Sequence, residues 1–344
     1  MSRIGKDPFN GLYAYSHQMA VSFLKVHPQD FELYYFLPKK KFGFLGDHVK
    51  YVNQRSIDKY YRFGTSAFDI WHCTTTISGY RPFNRRTKFI FTIHDLNFLI
   101  EYPELTRRNK RLLTQIQKRV DMADHLIMIS NFAWKQAKEQ LQLGDKPVSV
   151  VYPGCSLISN PVNPRVPEYV SKGKFLFSIG SLEPRKNFHV LMPLLKNNEY
   201  ELIIAGRHSS DYKNVIEEAA KRHGVTDRLK LVGTISEEEK VWYYQHCEAF
   251  FFPSFAEGFG LPVVEAMFYG KPVFLSKETS LPEVGGNEAY YFDSFDPDVM
   301  RKNFEDGMRH YCNTNPGEKI KARAAMFSYD NMVAEILDIY KKVI

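Results

Sequence analysis

Short apolar runs rich in β-branched and aromatic residues alternate along the chain with segments of helical periodicity. In the first half, five runs predict strands; they are 31–37, 68–72, 88–94, 124–130 and 148–152. Strands that alternate with helical segments pair in parallel through crossover helices, so this pattern predicts an α/β protein.

A stretch with four prolines and little periodicity, residues 153–173, interrupts the pattern and is typical of a linker. The pattern then restarts, and six more strands are predicted; they are 174–180, 201–206, 228–233, 249–254, 272–276 and 289–292. Helices are predicted between them, for example in "NFHVLMPLLK" and over 261–269, and two helical segments, near 297–311 and 330–343, finish the chain. We therefore expect two Rossmann-like domains facing a cleft. The predicted boundaries are 1–153 for the first domain, 154–173 for the linker, 174–325 for the second domain, and 326–344 for a C-terminal helix that can pack back on the first.

The start of the first domain departs from this scheme. A Rossmann-like half opens with a strand that runs into a glycine loop, yet here the loop around Gly11, "FNGLYAY", comes almost at once. The first strand of the N-terminal domain is therefore expected to be missing, either from this sequence or from the protein.

Composition supports an ordinary globular protein of two domains. The chain has 344 residues, of which 44% are hydrophobic and 25% charged. The four cysteines lie far apart, which disfavours a zinc site or a disulfide framework and fits a reducing cytoplasm. No run has the length of a membrane-spanning helix, and the first residues lack the apolar core of a signal peptide. We expect a cytoplasmic protein.

Charge is unevenly distributed. Residues 1–166 hold 24 Lys and Arg against 13 Asp and Glu, a balance of +11, whereas 167–344 hold 22 against 26, a balance of −4. The densest basic segment is a predicted helix with Arg107, Arg108, Lys110 and Arg111. It is either a solvated helix with its apolar side on the core or a contact for an anionic membrane surface or phosphorylated acceptor. Nucleic acid is disfavoured, because no binding motif accompanies the charge.

The segment "AEGFGLPVVEAM" holds the first candidate chemistry. A predicted strand ends in a loop with Glu257, Gly258, Phe259 and Gly260, and a helix begins at Leu261 with a proline in its first turn. Free N–H groups at a helix start bind phosphate, and glycines let a ligand approach the backbone.

Glu265 is predicted in the first turn of that helix, where its carboxylate can accept hydrogen bonds from ribose hydroxyls. Glu257 can then meet a sugar beyond the diphosphate. Alternatively, Glu265 complements the helix dipole and Glu257 is simply exposed.

A second loop supports the ligand-binding reading. In "IGSLEPRKN", Arg185 and Lys186 follow a neighbouring predicted strand. Two adjacent cations can neutralise the charge that grows on a departing nucleoside diphosphate, although either one alone could be surface charge. In the first half, His94 ends a predicted strand and is either a satisfied structural histidine or a residue of the cleft. No metal site is predicted, since capping explains the "DPD" segment at 296–298.

These residues resemble family 4 of the GT-B glycosyltransferases, a retaining group that includes bacterial lipopolysaccharide and capsule enzymes. The resemblance covers nearly all of 88–300 and rests on "SIGSLEPRKN", the 231–276 segment with Glu257 and Glu265 eight positions apart, and "SLPEVGGNEAYYFDSFDP". It implies an acceptor domain first and a nucleotide-sugar donor domain second.

The resemblance also implies roles for single residues. Arg185 and Lys186 would hold the diphosphate, Glu265 the ribose, and Glu257 with the 258–260 backbone the donor sugar. Leu261 would also belong to the donor-binding site. His94 would lie near the reacting carbon, Gly11 in the first-domain glycine loop, and Gly233 and Thr234 by the base. No metal or other cofactor is implied.

The predicted function is therefore retaining transfer of a hexose from a nucleotide diphosphate sugar to a hydroxyl of a lipid-linked or polysaccharide acceptor. The "LEPRKN" form favours mannosyltransferase-like members, hence GDP-mannose, and a place at the inner face of the cell membrane. Two alternatives remain: a two-domain sugar-nucleotide epimerase, and a non-catalytic nucleotide-sugar binding protein.

Overall fold

Two compact units make up the chain. The computed structural model describes residues 11–26, 28–61, 67–101, 106–159, 162–207 and 210–344. The first unit comprises residues 1–159 with 328–344, and the second comprises 160–327. The division near residue 160 falls inside the predicted linker 154–173.

The strands of the first unit are parallel wherever they pair. They are β1 (Tyr34–Leu37), β2 (Lys50–Asn53), β3 (Ile70–Cys73), β4 (Lys88–Ile93), β5 (His125–Met128) and β6 (Val148–Val150). The last four form one sheet in the order β3-β4-β5-β6, and β1 pairs with β2 in a separate two-stranded sheet. All five strands predicted in this half are present. The sequence analysis missed β2, "KYVN", because it is short and none of its residues is buried.

Among the residues that the structure describes, five α-helices of the first unit precede the second unit. They are α1 (Gly11–Val26), α2 (Phe98–Glu101), α3 (Arg107–Met122), α4 (Asn131–Gln140) and α5 (Ser156–Ser159). Side-chain caps explain where two of them begin: Thr106 accepts a hydrogen bond from the N–H of Asn109 at α3, and Ser130 accepts one from Ala133 at α4.

The second unit contains a six-stranded parallel sheet in the order β12-β11-β10-β7-β8-β9. Its strands are β7 (Phe175–Ile179), β8 (Glu201–Ala205), β9 (Leu229–Gly233), β10 (Ala249–Phe252), β11 (Val273–Leu275) and β12 (Tyr290–Tyr291). Central strands such as β10, "AFFF", are buried along their whole length, as expected for a parallel sheet covered on both faces. All six predicted strands are present, so the α/β fold with parallel sheets is confirmed.

The helices of the second unit are α6 (Ser210–His223), α7 (Glu237–His246), α8 (Leu261–Phe268), α9 (Leu281–Gly285), α10 (Pro297–Thr314) and α11 (Gly317–Ala325). The helix predicted in "NFHVLMPLLK" is wrong in type, because Phe188–Leu195 forms 3₁₀ turns. Pro193 inside it has no N–H for an α-helical bond, and its ring would clash with the carbonyl four residues earlier. The sequence analysis missed α11, in which only Ile320 and Ala324 are buried, too few to show a helical period.

The last helix, α12 (Tyr329–Val343), belongs to the first unit. Its apolar face, which includes Met332, Ile336 and Tyr340, shares a buried cluster with Met19 of α1 and Ile90 of β4. In the described part of the chain, no helix is both long and apolar enough to cross a membrane.

Candidate active site

The candidate site of the second unit lies where the order in which the chain adds strands to its sheet reverses. From β7 the chain continues through β8 and β9 on one side, and then crosses back to β10 on the other side of β7. The loops after β7 and β10 therefore leave adjacent strands in opposite directions, and ligands of open α/β sheets bind at such switch points. The predicted cations follow β7, and the predicted Glu257 follows β10.

The loop after β7 orients both cations. Pro184–Lys186 forms one 3₁₀ turn, which ends at Asn187 in a left-handed conformation with φ of 58°. The side chain of Asn187 makes no capping bond to the next turn. Arg185 donates to Glu183 Oε2 at 2.9 Å and to the carbonyl oxygen of Ala256 at 3.1 Å, which ties this loop to the one after β10.

Glu257 joins the two loops. Its side chain is buried, and its Oε1 atom accepts hydrogen bonds from Lys186 Nζ at 2.6 Å and from Ser254 Oγ at 2.6 Å. Nη1 of Arg185 lies 3.4 Å from the same oxygen. The structure therefore brings Arg185, Lys186 and Glu257, which are separated by about 70 positions in the sequence, into one cluster.

Burial and neighbouring charges act in opposite directions on the pKa values of Glu257 and Lys186. Burial alone would raise the pKa of Glu257, but the charges of Lys186 and Arg185 outweigh that effect and hold the pKa below its ordinary value. Burial lowers the pKa of Lys186, and the nearby carboxylate of Glu257 opposes that shift. The Lys186 ammonium also lies 4.5 Å above the ring of Phe252. Both cations have carboxylate partners here, so an anionic ligand at this point would compete with Glu257 and Glu183 for them.

The start of α8 forms one side of the site. Gly260 precedes the helix with φ of 107°, and a Cβ atom there would lie 2.8 Å from Leu281 Cδ2. Ser280 holds the loop by donating to the carbonyl oxygens of Glu257 at 3.1 Å and Phe259 at 2.9 Å. Sequence reasoning missed Ser280, since a serine outside the motif carries no pattern of its own.

The other predicted residues of this loop differ in exposure. Phe259 is buried and packs edge-on against Phe327, with ring centroids 5.4 Å apart. Gly258 and Leu261 are half-buried. A ligand can therefore approach the backbone at Gly258 and at the first turn of α8, whereas the Phe259 ring is packed inside.

Glu265 is buried in the second turn of α8, so its predicted place in the first turn is wrong. Its Oε1 accepts from Lys240 Nζ at 2.8 Å, and its Oε2 accepts from Tyr244 Oη at 2.9 Å. Lys240 also contacts Glu237 at 2.9 Å. Sequence reasoning missed Lys240 and Tyr244, although a lysine four positions before a tyrosine on the apolar side of a helix was a usable signal.

Gly233 and Thr234 follow β9. The loops after β8 and β9 touch, because the N–H of Gly206 donates to the carbonyl oxygen of Gly233 at 2.6 Å. A Cβ atom on Gly206 would lie 1.8 Å from the carbonyl oxygen of Gly180, so the loops after β7 and β8 also meet. Thr234 is exposed. The roles predicted for Gly233 and Thr234 beside a base stay predictions.

His94 lies in the first unit, directly after β4, and is buried. Its Nε2 lies 2.9 Å from the carbonyl oxygen of Thr74, so Nε2 carries the proton, and burial lowers the pKa of the ring. The ring of Tyr15 packs edge-on against it at 4.6 Å. These contacts satisfy a structural histidine, and the role near a reacting carbon stays a prediction. Gly11 begins α1, and the loop residues ahead of it lie outside the described residues.

Two further predictions concern charge. In the described ranges, no group of three or more His, Cys, Asp or Glu is arranged to hold a metal ion. Asp296 of the "DPD" segment accepts from the N–H groups of Asp298 and Val299, so it caps α10, as predicted. The four basic residues at the start of α3 are exposed, whereas Ile116 and Val120 face the core.

Comparisons with known proteins indicate the family of the second half of the chain. Residues 161–312 match the family described as "Glycosyl transferases group 1". The O-antigen chain mannosyltransferase B of Escherichia coli is 26% identical over 280 residues, which are 75% of this chain and 71% of that protein.

Solved structures of glycosyltransferases share the fold. The sucrose-phosphate synthase of Thermosynechococcus elongatus superposes with a TM-score of 0.74 at 17% identity, covering 97% of this chain and 93% of that one. The Anabaena protein HepE, in complex with UDP and glucose, superposes with a TM-score of 0.72 at 16% identity, covering 97% and 96%. Residues 161–312 are thus a glycosyl transferases group 1 domain, and the chain is a glycosyltransferase with the GT-B fold.

Proposed function

We propose that this glycosyltransferase moves a hexose, with mannose as the first candidate, from a nucleotide diphosphate sugar to an acceptor hydroxyl with retention of configuration. The observation that carries the proposal is the cluster of Arg185, Lys186 and Glu257 at the switch point of the second sheet.

The cluster has the chemistry that a diphosphate leaving group needs. Lys186 and Arg185 supply two fixed positive charges, and the N–H groups at the start of α8 supply further donors from the facing loop. As the bond to the diphosphate breaks, negative charge grows on its bridging oxygen, and preorganised cations stabilise that charge. We propose that these two side chains do so without a divalent metal ion.

Glu257 is proposed to position the donor sugar and to balance charge rather than to attack it. Its Oε1 atom accepts from Lys186 and Ser254 and lies close to Arg185. Charge-assisted hydrogen bonds to Oε1 draw electron density from the whole carboxylate, which weakens it as a nucleophile. Retention in enzymes of this kind does not require a protein nucleophile.

Glu265 is proposed to accept hydrogen bonds from the ribose of the donor. Lys240 and Tyr244 each donate to one oxygen of its carboxylate, which fixes its orientation on α8. Preorganisation of this type lowers the ordering cost of binding.

The acceptor and donor identities rest on chemistry and relatives. A relative named as an O-antigen chain mannosyltransferase supports GDP-mannose as donor and a lipid-linked or polysaccharide acceptor. The exposed basic residues at the start of α3 support transient binding to an anionic membrane surface. We propose that the enzyme works at the inner face of the cell membrane.

Radiolabelled GDP-mannose, with UDP-glucose and other nucleotide sugars in parallel, tests the proposal. We expect label to move to a lipid-linked acceptor, also in the presence of EDTA, and the double variant R185A/K186A to lose at least 100-fold of this transfer. The matched control K213M/K221M changes two cations on α6 and should transfer normally. Isomerised sugar nucleotide would instead support an epimerase, and binding without turnover would support a binding protein.

A further inference from the structure

Two segments of the first unit leave its two-stranded sheet at the same edge. β1 and β2 are parallel, with Leu37 opposite Asn53 at their carboxyl ends. The N–H of Gln54 donates to the carbonyl oxygen of Leu37 at 2.8 Å, which continues the pairing by one residue. Residues 38–46 and 54–61, which follow the two strands, therefore both start at this edge.

The first of these segments, the 38–46 turn, combines three consecutive lysines with two phenylalanines at the surface. Its sequence is "PKKKFGFLG". Lys39–Lys41 forms one 3₁₀ turn, and Phe42 and Phe44 are 39% and 38% exposed. The Lys41 ammonium lies 5.4 Å from the centre of the Phe44 ring. Exposed aromatic side chains this close in the chain form a patch, and apolar patches with polar rims mark interaction sites.

The 38–46 turn is folded rather than loose. Phe42 stacks on Tyr51 of β2, with ring centroids 5.0 Å apart. The Tyr51 hydroxyl accepts from the N–H of Leu45 at 2.8 Å and donates to the carbonyl oxygen of Gly46 at 3.0 Å. Gly43 and Gly46 have φ of 83° and 111°, which glycine adopts without strain. The outer faces of the phenylalanines are thus presented by a fixed backbone, and docking them has a low ordering cost.

The second segment adds side chains of the same two kinds. Ile57, Tyr60 and Tyr61 are 61%, 81% and 51% exposed. Asp58 is buried there and accepts from Arg55, so its charge is compensated within the segment. In total, residues 38–61 hold six Lys and Arg against two Asp, a balance of +4. Apolar and cationic side chains therefore leave the sheet together at this edge.

This combination fits an anionic lipid bilayer better than other partners. Aromatic side chains are enriched at the headgroup level of membranes, and lysines near an anionic surface are attracted to it. Protein–protein interfaces also favour aromatic side chains, but they are depleted in lysine. A neutral sugar has no charge for a run of lysines to complement. Charge complementarity therefore selects the bilayer.

The basic start of α3 lacks the apolar half of this combination. Its four cations are exposed, but the apolar residues Ile116 and Val120 of the same helix are buried. This helix can attract an anionic surface through charge, whereas insertion among lipids needs exposed apolar side chains.

We propose that the 38–46 turn docks on an anionic bilayer, with Phe42 and Phe44 among the headgroups and Lys39 and Lys40 at the lipid phosphates. Ligands of parallel α/β sheets bind beyond the carboxyl ends of the strands, so this docking brings a lipid-linked acceptor to the matching edge of the first unit. The inference rests on the membrane location in the proposed function. Vesicle binding needs neither donor nor acceptor, so it can fail while sugar transfer persists, and transfer can fail while vesicle binding persists.

Co-sedimentation of the full chain with vesicles of phosphatidylserine and phosphatidylcholine tests the proposal. F42S/F44S keeps every charge and should lower the vesicle partition coefficient about tenfold, because two rings lose their apolar burial. The matched control V215S/M326S changes two exposed apolar residues of the second unit and should bind like the parent chain. K39Q/K40Q should lower binding at least about tenfold in dilute salt. This second loss should shrink in concentrated salt, which screens charge.

Tryptophan fluorescence gives a second measurement that does not depend on loss of binding. F44W should be quenched by vesicles whose acyl chains carry bromine near the headgroups, since its ring would lie among the lipids. V215W, at an exposed position of the second unit, is the control and should not be quenched. The parent chain has three tryptophans, so its own quenching is subtracted.

The proposal is overturned if F42S/F44S binds vesicles as well as V215S/M326S does, or if F44W is quenched no more than V215W. Equal binding of the parent chain to vesicles of phosphatidylcholine alone would overturn the assignment to an anionic bilayer. Sedimentation velocity addresses a protein partner of the same sequence. If F42S/F44S abolishes self-association of the chain and leaves vesicle binding intact, the turn belongs to an interface between copies, and the proposal is overturned.

Discussion

Lys240 and Glu265 form a buried ion pair that the sequence alone does not disclose. Their side chains are 11% and 10% exposed, and Glu237 also approaches the ammonium. Burial tends to lower the pKa of Lys240, but these two carboxylates outweigh it and raise the pKa. Removing one partner of such a pair leaves an uncompensated charge in a poorly solvated place.

We expect K240M to lower the free energy of unfolding by about 3 kcal/mol, measured by urea denaturation, because Glu265 would stay buried without its cation. K213M, which breaks the more exposed Lys213–Glu217 pair on α6, is the matched control and should cost under about 1 kcal/mol. Adding E265L to K240M should recover most of the loss. Equal costs for the two lysine variants would contradict the role of Lys240.

At the scale of elements, strands were easier to predict than helices. Buried strands such as β10 appear in the sequence as uninterrupted apolar runs bounded by turn residues. The 3₁₀ turns at Phe188–Leu195 depend instead on a single proline, Pro193. The helix α11 has only one buried pair, Ile320 and Ala324, and periodicity detects neither feature. The site loops were predicted as loops, but the contacts of Ser280 and Arg185 with the loop after β10 were not.

The start of α8 depends on Gly260. G260A should lower the free energy of unfolding by about 2–3 kcal/mol, since alanine is strained at φ of 107° and its Cβ would meet Leu281 Cδ2 at 2.8 Å. G144A is the control, because Gly144 has φ of 60° with open space around it, and should cost about 1 kcal/mol. Thermal unfolding measures both. In a G260A/L281A variant the clash is absent, so its loss of stability should be smaller than the sum of the losses of G260A and L281A. Additive losses would contradict the steric part of the account.

The basic end of α3 permits a membrane test. Replacing Arg107, Arg108, Lys110 and Arg111 with Gln should strongly reduce co-sedimentation with vesicles of phosphatidylserine and phosphatidylcholine, because each cation near an anionic surface contributes about 1 kcal/mol. A matched control replaces four exposed lysines and arginines of the second unit; they are Lys302, Arg309, Lys319 and Lys321. Equal losses in both variants would indicate a nonspecific charge effect.

At the scale of the whole molecule, the end of the chain stabilises the first unit. His72 of β3 lies 2.7 Å from Tyr340 Oη of α12 through Nδ1, and 2.8 Å from Thr92 Oγ1 through Nε2. Burial lowers the pKa of His72 to about 3, with the nearby His125 and His94 acting in the same direction. The folded protein therefore keeps this ring neutral at pH values where the unfolded chain would protonate it.

Stability should consequently fall as pH drops below about 6.5, the ordinary histidine pKa, towards 3. In this window the unfolded state binds a proton that the folded state does not, so acid favours unfolding. We expect H72F to lose about 1–2 kcal/mol less than the parent chain between pH 7 and pH 5, since His72 is partly accessible and solvent screens some of the effect. Urea denaturation at both pH values measures the difference, and parallel curves would contradict it.

The sequence by itself determined the alternation of strands and helices, because burial of parallel strands requires apolar runs that any reading of the chain can find. It also placed Arg185, Lys186 and Glu257 at strand ends. Only the tertiary structure decided that Arg185 and Lys186 approach the same carboxylate oxygen of Glu257, and that Glu265 pairs with Lys240 from another helix. Such contacts join residues distant in sequence, and no local pattern encodes which strand edges and loops the fold brings together.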